Sequence, residues 1–128
     1  MKNLNFETGM TEYQVNGGGT IRFNPADAAF VKGLSELFAA LGQGTEGSLD
    51  DLPQREAEVT AKIDALFGPG TSRAVFGDQG AYALAGGLPL WANFLLAVLD
   101  EVESAVRAQP AAASPRVEEY MKKYAAYV

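Results

Sequence analysis

Four short runs of this chain carry residue types that could do chemistry. Gly42-Gln43-Gly44-Thr45-Glu46-Gly47 has the glycine spacing of a dinucleotide-binding turn, and Gly68-Pro69-Gly70-Thr71-Ser72 has the small residues of a phosphate-binding loop. Asp50-Asp51 and the group Asp100, Glu101 and Glu103 offer paired carboxylates for acid–base work. Each fails on its context. The dinucleotide fingerprint needs a strand before it, and here a helical pattern precedes it, so those glycines end a helix and open a loop. The second run lacks the lysine that would hold a phosphate, although an anion could rest on the amides of Thr71 to Arg73. Both carboxylate groups lie on polar stretches and read as solvated surface.

The composition removes further chemistry. Cysteine and histidine are both absent, so the chain itself offers no disulfide, thiolate nucleophile or imidazole base, and serine and threonine have no histidine to activate them. No cofactor or metal is expected. Of 128 residues, 48% are hydrophobic and 20% charged, the balance of a folded domain rather than a disordered one. The net charge of −6 and scattered basic residues speak against nucleic acid, which needs clustered Lys and Arg. Residues 79–99 carry no charge and are long enough to span a bilayer, but they hold Gly80, Gly86, Gly87, Pro89 and Asn93 between acidic flanks. A buried helix is expected there, not a membrane span. The opening run MKNLNFETGM lacks the apolar core of a signal peptide and reads as a mature cytoplasmic start.

The elements that would position these residues follow from periodicity. Leu4, Phe6 and Thr8 alternate with polar residues as in a half-buried strand. Tyr13 and Val15 lead into Asn16-Gly17-Gly18-Gly19, and Ile21 and Phe23 follow, the signature of a β-hairpin. Asn24-Pro25-Ala26-Asp27 predicts a helix start, with Asn24 as N-cap and Pro25 at the first helical position. Phe30, Val31, Leu34, Leu37, Phe38 and Leu41 then form one apolar stripe, stopped by Gly42.

Ser48 with Asp51 predicts a capping box for a second helix, with Pro53 in its first turn. Leu52, Val59, Ile63 and Leu66 share its inner face, and Arg55, Glu56, Glu58 and Lys62 point to solvent. Gly68 and Pro69 stop it. The corner from Gly70 to Asp78 is expected to be structural: Gly70 and Gly77 take conformations closed to other residues, and Phe76 anchors the turn. A third helix starts between Ala81 and Pro89 and runs to Ala108, apolar nearly all round in its first half, as a central core helix or an oligomer contact would be. Residues 109–114, QPAAAS, read as a linker, and 115–128 as a last helix with Val117, Tyr120, Met121, Tyr124 and Val128 on one face.

The expected fold is therefore α+β, an N-terminal antiparallel hairpin packed on a bundle of about four helices. Residues 1–108 form one domain, with a core of Phe23, Phe30, Leu34, Phe38, Ile63, Leu66, Trp91, Leu95 and Val98. The residues with most potential for a partner are the aromatics Trp91, Phe94, Tyr120, Tyr124 and Tyr127, since aromatic side chains combine large contact area with few rotatable bonds.

Several segments together resemble a family of small tail-region proteins of Gram-positive phages and prophages. They are Ile21-Arg22-Phe23-Asn24-Pro25-Ala26-Asp27 with Phe30 following, Ile63-Asp64-Ala65-Leu66-Phe67-Gly68, the run from Gly70-Thr71-Ser72 through Val75-Phe76-Gly77-Asp78, and Tyr120-Met121-Lys122-Lys123-Tyr124. Residues 79–99 depart from the family, which has acidic and aromatic residues where this chain is uncharged and rich in Gly and Ala. The resemblance implies a tail assembly chaperone in the bacterial host cytoplasm, holding apolar helices of the tape-measure protein soluble, with no enzymatic activity and no cofactor. The alternative is a minor structural protein of the virion, at the tail tube or head–tail joint. Both would contact protein, the second through self-assembly, and neither membrane nor nucleic acid.

Overall fold

The structure is a computed structural model, and it describes residues 1–42 and 49–124. It shows the expected α+β arrangement, an N-terminal antiparallel hairpin lying on a helical layer.

Strands β1 (Thr11–Gln14) and β2 (Thr20–Phe23) pair in the register Thr11 to Phe23 and Tyr13 to Ile21. Asn16 (φ 51°) and Gly17 (φ 74°) are both left-handed, as a tight turn that matches strand twist requires. Ile21 and Phe23 face inward and are buried. The alternation at Leu4, Phe6 and Thr8 does not become a strand. Residues 1–10 have no regular structure, and Leu4 and Phe6 are 87% and 73% exposed. A period-2 pattern needs a neighbouring strand to pair with, and the two-stranded hairpin extends no ladder to this arm.

Helix α1 (Ala28–Gly42) begins later than the Asn-Pro signal predicts. The Asn24 carboxamide oxygen accepts the Ala26 N–H at 2.9 Å, closing a turn, and the Asp27 carboxylate accepts the Ala29 N–H at 3.3 Å. Asp27, not Asn24, thus supplies the capping oxygen, because its side chain reaches an amide inside the helix. Phe30, Leu34, Leu37 and Leu41 form the buried stripe, with Phe38 partly buried beside it. A 3-10 turn (Leu49–Asp51) precedes α2 (Leu52–Phe67), whose N-cap is Asp51 with Pro53 in the first turn. Ser48, and with it the expected capping box, lies outside the described residues, as do the glycines after Gly42. The α2 core residues are Val59, Ile63 and Phe67, and Leu66 is only partly buried. The inner stripe of α2 therefore ends one residue further round than the sequence pattern implies.

The short helix α3 (Thr71–Phe76) follows the Gly-Pro-Gly corner. The strands β3 (Leu84–Ala85) and β4 (Leu88–Pro89) form a second small ribbon that the sequence reading did not contain. Its turn is Gly86-Gly87, both at positive φ (63° and 83°), and that dipeptide between two apolar residues was the signal available for it. The ribbon splits the uncharged run 79–99, so among the described residues no helix is long and apolar enough to cross a membrane.

Helix α4 (Leu90–Tyr124) is continuous. Residues 109–114, expected as a linker, are helical, although Pro110 and Pro115 each lack the N–H that the preceding turn would accept. Three consecutive alanines, the best helix formers, lie between the prolines. Trp91, Ala92, Leu95, Val98 and Val102 form the buried face of α4, which packs on α1 and shares one core cluster with residues of β2, α1 and α2. Among the described residues Leu34, Ile63, Leu95 and Val59 are the largest fully buried side chains, and truncating such a leucine to alanine costs about 2–5 kcal/mol.

Candidate functional site

The corner at α3 is closed by its own side chains. Gly70 (φ 84°) serves as N-cap in the left-handed region, and Gly77 (φ 62°, ψ −124°) ends the helix in a conformation that only glycine adopts readily. Phe76 is buried, as expected of an anchor. Two of the amides that could have received an anion are already engaged, the Thr71 N–H donating to the Gly68 carbonyl at 3.3 Å. Asp64 reaches over from α2 and accepts the Ser72 N–H at 2.8 Å. The Thr71 hydroxyl donates to the Gly68 carbonyl (2.8 Å), and the Ser72 hydroxyl donates to the Thr60 carbonyl (3.1 Å). This explains how two buried polar side chains sit here without cost: each has a partner.

Two α2 residues expected at the surface also have partners on the loop after α3. The Arg55 guanidinium lies 5.1 Å from the Tyr82 ring centre, and the Glu56 carboxylate accepts the Tyr82 N–H at 3.3 Å. Both residues are half-buried for that reason. Backbone bonds from Leu90 N–H to the Ala83 carbonyl and from Trp91 N–H to the Ala81 carbonyl then fix the start of α4, satisfying amides that a helix N-terminus leaves open.

A chain of aromatic contacts runs through the molecule. Tyr13 stacks on Phe23 at 4.4 Å and Phe23 on Phe30 at 5.1 Å, and Phe67 meets Phe23 and Phe30 edge-on. Phe67 then contacts Phe94 at 5.1 Å, and Phe94 contacts Phe76 at 6.3 Å. The chain surfaces at Phe94, which is half-buried, and there the hairpin and α4 leave a groove.

That groove is the candidate site among the described residues. It consists of two adjoining solvent-open hollows of about 210 Å³ and 230 Å³ that share Val15, Asn16, Phe94 and Ala97. One is completed by Tyr13, Ile21, Phe23, Val98 and Glu101, the other by Val75, Phe76, Leu90 and Asn93. A cavity of about 150 Å³ lined by apolar side chains accepts benzene, so each hollow has room for a large apolar side chain. Glu101 is the one charged residue among those lining them. It accepts a hydrogen bond from the Tyr13 hydroxyl at 3.2 Å. Burial first, and then the nearby Glu101 carboxylate, raise the Tyr13 pKa above its ordinary value of 10.0.

The sequence-predicted partner residues divide. Phe94 floors the groove. Trp91 is 4% exposed and packs against Phe38 in the core, so it offers no surface to a partner; its position on the inward side of α4 dictates this. Positions 120 and 124 lie on α4, about 39 and 45 Å beyond Phe94 at the helical rise, and the side chains of Tyr120 and Tyr124 lie outside what the structure describes. Tyr127 lies outside the described residues. Tyr13, Val15 and Asn16 are groove residues that sequence reasoning assigned only to the hairpin; their adjacency to α4 depends on tertiary packing. Asp100 and Glu103 are exposed, with Glu103 paired to Arg107, as expected of surface charges. Among the described residues no group of acidic side chains could hold a metal ion.

In comparisons with protein-family models, curated proteins and solved structures, the chain matches none.

Proposed function

We propose that this chain is a non-enzymatic tail assembly protein of a phage or prophage, a chaperone that binds apolar helical segments of the tape-measure protein and uses no cofactor. The observation that carries this reading is the groove between the hairpin and α4, open to solvent and floored by Phe94. Its two hollows suit successive large apolar side chains along one stripe of a helix, the manner in which helix-in-groove partners are held. The tape-measure partner is what the resemblance of the segments from Ile21 to Asp27 and around Gly68 to Asp78 to the phage tail-region family implies.

One observation favours the second reading, a minor structural protein of the virion. The arm before β1 exposes Leu4 and Phe6, and apolar side chains of that size on an irregular segment suit permanent burial in an assembly. The two readings differ in where the protein ends up. A chaperone is expected in infected-cell lysate bound to tape-measure protein, and absent from purified particles. A fixed copy number in mature virions overturns the chaperone reading in favour of the structural one.

A further inference from the structure

The groove and the arm fit each other in spacing, polarity and charge. In an extended arm Lys2, Leu4 and Phe6 share one face, while Asn3, Asn5 and Glu7 face the other way. At a strand rise of about 3.3 Å per residue, Leu4 lies ~7 Å and Phe6 ~13 Å from Lys2. Along α4, at about 1.5 Å per residue, Ala97 lies ~6 Å and Asn93 ~12 Å from Glu101. With Lys2 at Glu101, Leu4 therefore falls beside Ala97 in the first hollow and Phe6 beside Asn93 and Phe94 in the second. The single charge on the apolar face of the arm meets the single charge of the groove lining, and the signs are opposite.

We propose that the groove takes the arm, residues 2–8, of a second copy of this chain. The arm's own molecule is a poorer donor. The Asn24 side-chain N–H donates to the Thr8 carbonyl at 2.9 Å, tying the arm's root to the end of the hairpin opposite the Asn16 turn. That end carries Tyr13 and Glu101, whereas the far end of the groove, at Asn16 and Leu90, has no charge. An arm folding back from its own root would enter with Phe6 first and carry Lys2 to the uncharged end. A second copy entering from the far side has the reverse polarity and pairs Lys2 with Glu101.

The inference uses the groove of the proposed function but not its tape-measure partner, so it is tested on the purified chain alone and either can fail without the other. Sedimentation of the full chain should give a mass above the monomer that rises with concentration. A chain lacking residues 2–8 should be monomeric with an unchanged far-UV melt, and a synthetic peptide of residues 1–9 should bind it. Phe6→Ala in the peptide should weaken binding about tenfold or more. Lys2→Glu should weaken it about two- to fivefold, an effect reversed on a chain carrying Glu101→Lys. A monomeric full chain, association that survives loss of the arm, or a peptide that binds with Lys2→Glu as well as without it each overturns the proposal.

Discussion

Tyr13 joins the two sides of the groove, and its titration reports on that junction. Its folded-state pKa lies above the ordinary 10.0, through burial and then through Glu101. A group whose pKa is raised by folding contributes stability below its unfolded pKa and loses it as pH rises through the folded value. Stability should thus fall above about pH 10 as the phenolate forms, with part of that fall belonging to Tyr13. Urea unfolding across the alkaline range should show a shallower decline in Tyr13→Phe than in the parent chain. An identical slope in both would mean that Tyr13 titrates freely. Nothing in the order of residues announces this contact: Tyr13 and Glu101 are 88 positions apart, and only the docking of the hairpin on α4 brings them together. Residues whose burial follows from helical periodicity, such as Leu34, Ile63 and Leu95, were legible. Leu66 was expected inside but is partly buried, while its neighbour Phe67 carries the aromatic contacts that close the core.

At the scale of elements, strong local chemistry was legible and long-range pairing was not. Gly68-Pro69 stops α2 as written in the sequence, and the corner glycines take the conformations their positions require. The arm was read as a strand because alternation alone cannot say whether a partner strand exists. The β3–β4 ribbon escaped because two-residue strands have no periodicity to detect. The corner permits a ranked prediction, since a Cβ at either Gly70 or Gly77 would meet nothing within 4 Å and the whole effect is backbone strain. Gly70 (φ 84°, ψ −4°) sits in the left-handed helical region, where a side chain costs about 1–2 kcal/mol. Gly77 (φ 62°, ψ −124°) sits in the mirror image of the extended region, closed to L-residues by sterics. Gly77→Ala should therefore lower the urea midpoint more than Gly70→Ala. Equal shifts would show that the chain after Phe76 relaxes to another path at no cost.

For the molecule as a whole, the buried side chains described on α4 all lie in its first half. The last buried side chain described on α4 is Val102, and Ala105 is half-buried. Beyond it Val106, Arg107, Ala108, Glu119 and Met121 to Lys123 are exposed. A helix is held in a protein mainly by packing of its apolar face, and its own propensity contributes little. The core spanning β2, α1, α2 and the first half of α4 should consequently be indifferent to the loss of residues 109–128. The sequence placed the division at that point through its proline- and alanine-rich composition, while helix continuity across it became visible only in the structure. A chain ending at Ala108 should lose far-UV helical signal and keep its stability within about 0.5 kcal/mol, the range of changes remote from a core. For a domain of about 100 residues that corresponds to a melting temperature within ~2–4 °C of the parent. Amide exchange should agree, with protection at the global level from Trp91 to Val102 and progressively faster exchange toward Tyr124. A drop of ten degrees or more on truncation would mean that the second half of α4 docks on the domain, and the boundary at Ala108 would then have no basis in energetics.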